Sequence, residues 1–402
     1  MFSLVASLRK TFNPFWFLWF SLCLIPFSAF GGSANYLFAL TPLYFVFSGK
    51  KLLAPSEFIR FFFLCCVAIF CISLIYQYQF YDYLPKKFIS AFLFVSIFSL
   101  SLCDFTKRMI SSFFLALLFV SFCLALNSFY NLSLYNSLDV FSLKAEIGSQ
   151  RVGFLYLFAF WILVPFLYRV PQSFLIKFSS LACLLVVFGG LVLTFSRSSY
   201  IGLLAGAVYS LCANFRLKLS FKSFLTFFAI AVFVCFLVFF VSFLVPGFND
   251  FLNIRFFSLF NADYLATQLG DSSSSEGTRI EIWKTIINFV SLNPFTGTGF
   301  LGVWIFDKDL VGSSHNEFLD RLLRLGIFGF FVYSILLFKI FTFLSRFYPS
   351  LAVGFVSVMV YSLFHETFSL SQGSAVLSFF IMLLENNIRI TCSSRQSLAS
   401  SR

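Results

Sequence analysis

Hydrophobic runs long enough to cross a bilayer follow one another along almost the whole chain, and short polar segments separate them. A helical run of about 20 apolar residues spans the hydrocarbon core of a membrane. The pattern therefore predicts an all-α polytopic integral membrane protein with about twelve transmembrane helices. The predicted spans cover residues 12–30, 35–49, 58–77, 88–103, 110–130, 152–168, 175–194, 198–214, 222–245, 325–344, 348–364 and 369–385. A composition of 60% apolar and 11% charged residues excludes an ordinary soluble domain.

The net charge of +12 would suggest a nucleic-acid partner in a soluble protein. With twelve spans and the N-terminus inside, however, most Lys and Arg residues fall in the cytoplasmic segments, and the outer loops are slightly acidic. This asymmetry follows the positive-inside rule. We therefore expect both termini in the cytoplasm, membrane lipids around the spans and no nucleic-acid partner. The first span is expected to be retained, because no convincing cleavage site follows it.

The spans divide the chain into four parts. Residues 1–245 form an N-terminal transmembrane bundle of about nine spans, and residues 246–324 form one large outer loop with short helices. Residues 325–388 form the C-terminal transmembrane helices, and residues 389–402 form a cytoplasmic tail that we expect to be disordered. The loop contains a polar patch at 270–275 that we expect to be mobile.

Two capping boxes predict helix starts in the large loop. Thr278 with Glu281, and Ser314 with Glu317, have the spacing at which a hydroxyl and a carboxylate cap one helix end. If both caps form, Arg279 and His315 are each the first residue of a helix. Because a helix N-terminus attracts anions, both positions are candidates for contact with a phosphorylated substrate.

The sequence between the capping boxes predicts an amphipathic helix and a connector. The apolar stripe of the helix is Ile280, Trp283, Ile287 and Val290. Asn293-Pro294 ends the helix, and a Gly-x-Gly at 297–299 predicts a flexible connector that can approach a ligand closely.

A third candidate lies in the outer turn between the seventh and eighth spans. Arg197 falls there at the edge of the hydrocarbon layer, where an arginine must be paired, snorkel to the surface or face a wet cavity. Gly189-Gly190 and the Gly202-x-x-x-Gly206 pattern predict close helix packing on either side. The turn is therefore expected to be buried against other spans.

Arg197, Arg279 and His315 together suggest phosphate chemistry. Two arginines could hold a diphosphate, and the positive end of a helix disfavours the protonated imidazole, so that His315 could act as a general base. Simpler interpretations stay open: snorkelling for Arg197, a surface charge for Arg279 and a purely capping role for His315. The chain has only two histidines, His315 and His365, so no metal and no other cofactor is expected.

Three motifs, in this order, resemble the marks of the O-antigen ligase and polymerase superfamily. They are Thr194-x-Ser196-Arg197; Arg279-x-x-x-Trp283 followed by Asn293-Pro294-Phe295-x-Gly297-x-Gly299; and Ser314-His315-Asn316-x-x-Leu319 followed by Gly326-Ile327-x-Gly329. The resemblance covers roughly residues 185–335. One departure is Arg324, which stands where many relatives carry an acidic residue; Asp320, one helical turn earlier, is expected to pair with it.

The resemblance implies a GT-C-like, metal-independent, inverting glycosyltransferase of the bacterial inner (cytoplasmic) membrane, with its active loop in the periplasm. The implied donor is an undecaprenyl-diphosphate-linked glycan, and the implied acceptor is lipid A–core or a second lipid-linked glycan. By position, Arg197 and Arg279 would bind the diphosphate and His315 would be the base. Asn316, Gly297 and Gly299 would be the other substrate-binding residues.

The acceptor divides this superfamily into ligases, polymerases and relatives that glycosylate proteins. The compact outer segment and the short tail fit the first two classes better than the third. Between ligase and polymerase the sequence says little, because acceptor choice depends on the shape of the cavity, and the O-antigen ligase is favoured narrowly. The O-antigen polymerase is the first alternative. A transporter or flippase of lipid-linked oligosaccharides is a second, although transporters concentrate polar residues at mid-membrane and these spans do not. A purely structural membrane protein is the third.

Overall fold

The computed structural model describes most of the chain, with gaps. The described residues are 13–26, 36–48, 53–103, 106–134, 152–168, 173–194, 196–215, 275–306, 314–369 and 371–400. Every regular element in this part of the chain is an α-helix or a 3₁₀ helix, which agrees with the predicted all-α class. The predicted ninth span (222–245) and residues 270–274 of the polar patch lie outside the described residues.

Most of the predicted spans coincide with a helix. The α-helices are α1 (Phe15–Cys23), α2 (Thr41–Ser48), α3 (Glu57–Tyr76), α4 (Leu84–Ser96), α5 (Lys107–Leu134), α6 (Gly153–Tyr168), α7 (Phe174–Leu193), α8 (Arg197–Phe215), α9 (Ser275–Leu292), α10 (Glu317–Phe347), α11 (Pro349–Tyr361) and α12 (Ser371–Ser400). Four of them, α3, α5, α7 and α10, are long and apolar enough to cross a membrane, and three shorter apolar helices accompany them. This supports a membrane protein, while the number of twelve spans stays a prediction.

The chain divides into two compact units. The first comprises Met1–Val120, Ile282–Phe347 and Ser362–Arg402, and the second comprises Ser121–Glu281 and Tyr348–Tyr361. The predicted large loop is therefore split, because α9 enters the first unit after Glu281.

In the second unit, α6 packs against α7, α8 and α11. Small residues make this possible, as the sequence predicted. A Cβ added at Gly202 would lie 2.7 Å from the carbonyl oxygen of Ser357, and one at Gly206 would lie 2.7 Å from Nε1 of Trp161. A Cβ at Gly190 would lie 2.6 Å from the Cβ of Ala125. The predicted close packing around these glycines is confirmed.

In the first unit, α10 changes direction at Gly326. This residue has φ +66° and ψ −177°, a conformation that L side chains rarely adopt, and a Cβ there would lie 2.6 Å from the carbonyl oxygen of Pro294. The amide of Ile327 instead donates to that carbonyl oxygen, at 2.8 Å. The break lies two residues after the end of the predicted loop at position 324, and it separates Glu317–Leu325 from the apolar part of α10.

Hydrogen bonds in the first unit join residues that were predicted to lie on the same side of the membrane. Gln77 Nε2 donates to the carbonyl oxygen of Gly297, and both positions were predicted to be outer. The amide of Ser56 donates to Glu385 Oε2 at 2.8 Å, and both were predicted to be near the cytoplasm. Which of the two sides is the periplasm stays a prediction.

The C-terminal segment differs from expectation. Residues 389–402 were predicted to be a disordered tail, but α12 continues to Ser400. Within α12, Arg389 Nη2 donates to the carbonyl oxygens of Ser101 and Ala54. These bonds hold this part of the helix against two earlier segments of the same protein.

Candidate functional site

The connector between α9 and α10 is fixed by backbone hydrogen bonds to α10. The amide of Thr298 donates to the carbonyl oxygen of Leu323 at 2.6 Å, and the amide of Phe300 donates to that of Arg324 at 3.0 Å. Phe300 has φ +75° and is 1% exposed, so burial of its ring stabilises a backbone conformation that is costly for a residue with a side chain. Residues 298–300 of the connector are therefore held against α10 by backbone hydrogen bonds.

Gly297 and Gly299 lie inside this connector and are buried. Both have φ +55°, and a Cβ at Gly297 would meet the carbonyl group of Leu323 while one at Gly299 would meet the side chain of Ser73. The groups that approach these glycines closely therefore belong to the protein itself, and the flexibility of the connector stays a prediction. Their contact with substrate stays a prediction.

The segment before α10 presents His315 in an unusual backbone conformation. His315 has φ +53°, and it lies between Ser314 and Asn316, which are 0% and 9% exposed. The side-chain oxygen of Asn316 accepts hydrogen bonds from the amides of Phe318 and Leu319, at 2.9 and 3.0 Å. Asn316 is therefore the N-cap of α10.

The predicted capping box at Ser314–Glu317 is wrong for a physical reason. Asparagine caps a helix as well as serine does, and the carboxylate of Glu317 is occupied elsewhere. Helix α10 begins at Glu317, so His315 precedes the cap and is not the first helical residue. The side chain of Ser314 instead closes a local turn, with its Oγ donating to the carbonyl oxygen of Asn316 at 2.8 Å.

The capping box at Thr278–Glu281 is also wrong. Helix α9 begins at Ser275, so Thr278 lies within it and Arg279 is its fifth residue. Arg279 is half-buried. Ser275, the last residue of the polar patch, is therefore the first residue of the helix.

The buried face of α9 differs by one position from the predicted stripe. Val290 is buried as expected, but Ile287 is 55% exposed and Ile286 is fully buried. Ile286 and Val290 form a core with Val303 of the connector and Leu323 of α10. The difference arises because the connector folds back on one side of α9.

Trp283 holds the segment that carries His315. Its indole Nε1 donates to the carbonyl oxygen of Ser314 at 2.9 Å, within the first unit. The tryptophan of the Arg-x-x-x-Trp motif therefore has a structural contact with the residue that precedes His315.

A buried carboxylate, that of Glu317, joins α10 to the turn before α12. Its Oε2 accepts hydrogen bonds from the amides of Phe368 and Ser369, at 2.9 and 3.2 Å. Its Oε1 accepts from Nε of Arg321 at 2.7 Å and from the hydroxyl of Tyr333 at 3.1 Å. Glu317 is 0% exposed, so each of these bonds lies in a dry environment.

Arg324 pairs with Asp320, as the spacing of one helical turn between them predicted. Arg324 Nε lies 2.9 Å from Asp320 Oδ1, and Arg324 Nη1 donates to the carbonyl oxygen of Phe300 at 2.8 Å. Asp320 Oδ2 also accepts from Oγ of Ser369 at 2.7 Å. Arg324 therefore stabilises the connector through the carbonyl oxygen of Phe300.

Glu366 lies beside the His315 segment, and sequence reasoning did not assign it a role. Its Oε1 accepts a hydrogen bond from the amide of Ser314. Burial, and then the nearby charge of Asp320, raise the pKa of Glu366 to about 7, although Arg324 and Ser314 oppose the shift. A carboxyl group that titrates near neutral pH therefore accepts a hydrogen bond from the residue that precedes His315.

The raised pKa of Glu366 predicts that stability falls as the pH rises from about 4.5 to about 7. In this window the unfolded chain has already lost the proton of Glu366, whereas the folded chain still binds it. Glu366→Gln keeps the shape of the protonated acid and should reduce this pH dependence. Thermal unfolding of both proteins in detergent at pH 5 and pH 7.5 measures the difference; identical changes in Tm would contradict the assignment.

The turn around Arg197 is buried in the second unit, as predicted. Thr194 and Ser199 are 2% and 0% exposed, and Thr194 Oγ1 donates to the carbonyl oxygen of Leu191 at 2.7 Å. Arg197 is half-buried and is the first residue of α8. Of the three candidate catalytic residues, Arg197 is therefore the one that lies at a helix start.

The predicted site residues belong to different units. The first unit contains His315, Asn316, Gly297 and Gly299, and the second contains Arg197 and Arg279. Their action on one substrate stays a prediction.

Sequence reasoning also missed a polar network behind the connector. Lys87 Nζ donates to Oγ of Ser73 and to Oε1 of Gln77, both at 3.0 Å, and Gln77 donates onward to the carbonyl oxygen of Gly297. The sequence analysis assigned no individual role to the pair of lysines that precedes the predicted fourth span. The signal that could have marked it is the polar Gln77 at the end of the preceding apolar run.

Two comparisons with known proteins bear on the identity of the chain. A search of curated proteins finds no match. Residues 181–334 match the family model described as O-antigen ligase. This region contains all three motifs, and the match confirms the resemblance: it places this region of the chain in the O-antigen ligase superfamily.

Proposed function

We propose that this protein transfers a glycan from an undecaprenyl-diphosphate donor to an acceptor hydroxyl at the periplasmic face of the bacterial inner membrane. We further propose that it is an O-antigen ligase whose acceptor is lipid A–core. The observation that carries the proposal is the placement of His315 within the matched region. Its backbone is held at φ +53° between two buried residues, and strain of this kind is concentrated at functional sites.

In the proposed reaction, the acceptor hydroxyl attacks the anomeric carbon of the glycan. The bond between that carbon and the diphosphate oxygen breaks, and undecaprenyl diphosphate leaves with the bonding electron pair. The imidazole of His315 accepts the hydroxyl proton as general base. Because the nucleophile enters opposite the leaving group, the anomeric configuration is inverted.

The charge on the leaving diphosphate is the part of the reaction that needs stabilisation. Arg197 and Arg279 are proposed to supply it, since the planar guanidinium matches two phosphate oxygens at once. This role would make a metal ion unnecessary. Asn316 is proposed to orient the site, because its side chain already fixes the backbone next to His315.

A transfer assay with competing acceptors tests the proposal. Purified protein would receive an undecaprenyl-diphosphate-linked glycan together with lipid A–core and a second lipid-linked repeat. Glycan on lipid A–core identifies a ligase, whereas a ladder on the lipid-linked repeat identifies a polymerase. Absence of transfer to either acceptor, with the donor carried across vesicles, would favour the transporter.

Arg279→Ala is expected to lower transfer by about 10- to 100-fold, the value of one charge-assisted hydrogen bond to phosphate. The loss should appear in kcat, because the diphosphate gains charge as the bond breaks. Lys284→Ala is the matched control: it removes a cation from an exposed position on the same helix, and its activity should stay close to wild type. Equal activity in the two variants would remove Arg279 from the mechanism.

A further inference from the structure

Lys87 is a buried lysine in the first unit whose hydrogen-bond partners are both neutral. Its side chain is 2% exposed, and its ammonium group donates to Ser73 Oγ and Gln77 Oε1. The ammonium group also lies close to the connector, because a Cβ added at Gly299 would lie 3.2 Å from Lys87 Nζ. A positive charge therefore lies directly behind the Gly-x-Gly segment.

Two other cations of this region, one buried and one half-buried, are paired with carboxylates. Arg321 pairs with Glu317 at 2.7 Å, and Arg324 pairs with Asp320 at 2.9 Å. Within the part of the chain that the structure describes, Lys87 has two neutral acceptors and no carboxylate. A buried charge without a counter-charge is costly, so a residue of this kind is expected to act electrostatically.

The hydrogen bond from Lys87 also fixes the orientation of the side-chain amide of Gln77. Because Lys87 donates to the amide oxygen of Gln77, the amide nitrogen of Gln77 is turned toward the connector, where it donates to the carbonyl oxygen of Gly297. A cation on the oxygen polarises the amide and strengthens its N–H as a donor. Lys87 thus fixes the connector through Gln77.

From this network we infer that Lys87 is a charged positioning residue that favours binding of a phosphate-bearing substrate at the connector. The inference rests on the proposed function, because it assumes that the connector of residues 297–299 lies against the diphosphate of the donor. Lys87 would act without touching the substrate, through its positive charge and through its hold on Gln77. An uncharged hydrogen-bonding residue of similar size would keep most of the packing and lose the electrostatic effect.

Substitution by Gln and by Arg separates the charge from the shape. Lys87→Gln should raise the KM for the lipid-linked donor by about tenfold and leave the KM for lipid A–core unchanged, because the connector is proposed to lie against the diphosphate of the donor and not against the acceptor. Lys87→Arg should restore donor KM at least in part. Inorganic pyrophosphate, used as a competitive inhibitor, should bind Lys87→Gln about tenfold more weakly, and the difference should shrink at high salt.

Lys86→Met is the matched control. Lys86 is the neighbouring lysine, and its ammonium group lies over the ring of Trp304 at 4.2 Å in an exposed position, where solvent screens the charge. The KM of the Lys86→Met variant for the lipid-linked donor should stay close to the wild-type value.

The outcomes distinguish this inference from the proposed function. If wild type transfers glycan and Lys87→Gln keeps its donor KM and pyrophosphate inhibition, the inference is overturned while the function stands. If both Lys87 variants raise the donor KM and the acceptor KM equally and also lower the Tm, Lys87 is a structural residue. This result would also overturn the inference. If wild type transfers nothing, the proposed function itself fails.

Discussion

Replacement of His315 by alanine is expected to reduce glycan transfer by about 10²–10⁴-fold, the usual contribution of a positioned general base. Binding of the lipid-linked donor should change little, because the imidazole is proposed to act on the acceptor hydroxyl and not on the diphosphate. Transfer kinetics and equilibrium binding of the donor measure the two quantities separately. A transporter, in contrast, should tolerate the substitution.

Alanine at this position has one side effect that needs a control. His315 has φ +53°, which is unfavourable for alanine but is tolerated by asparagine. His315→Asn should therefore keep the backbone and the Tm of wild type, and it should lose transfer as completely as His315→Ala. An active His315→Asn variant would show that the conformation matters and the imidazole does not, which would end the proposal of a general base.

Local patterns predicted the helices well and their ends poorly. The apolar runs predicted α3 and α7 to within one residue, because a lipid-facing helix is defined by hydrophobic length alone. The start of α10 was predicted wrongly, because Ser314, Asn316 and Glu317 form two competing caps. The choice between them depends on Phe368 and Ser369, which take the carboxylate of Glu317 from about 50 residues further along the chain.

In the candidate site, too, local sequence predicted some residues and missed those that contact the site only through the fold. His315 and Arg279 were singled out by two predicted capping boxes and by a family resemblance, both of which depend on short segments of sequence. The residues that support the segment around His315, Trp283 and Glu366, act through contacts that no spacing predicts. Gln77 follows α3 and Lys87 lies in α4, more than 200 residues before the connector in sequence, and both reach it only in the folded chain.

Glu317→Gln is expected to be the most destabilising single substitution in the first unit, by about 3–5 kcal/mol. The carboxylate accepts hydrogen bonds from two backbone amides, from Arg321 and from Tyr333, and it is fully buried. A glutamine would leave the guanidinium of Arg321 without its counter-charge and would place amide hydrogens opposite other donors. Thermal unfolding in detergent, together with the monodisperse fraction on size exclusion, measures the loss; Glu57→Gln, at an exposed helix start, is the control.

A double substitution shows whether the cause is the unpaired charge. Arg321 lies over the rings of Phe94 and Tyr333, with 4.8 and 5.3 Å between its guanidinium carbon and the ring centroids, so methionine at 321 would fill a similar apolar space. Glu317→Gln with Arg321→Met removes both charges and should be more stable than Glu317→Gln alone, since no buried cation is left uncompensated. Simple addition of the two single losses would instead mean that Glu317 stabilises the protein through the Phe368–Ser369 turn and that its pairing with Arg321 contributes nothing.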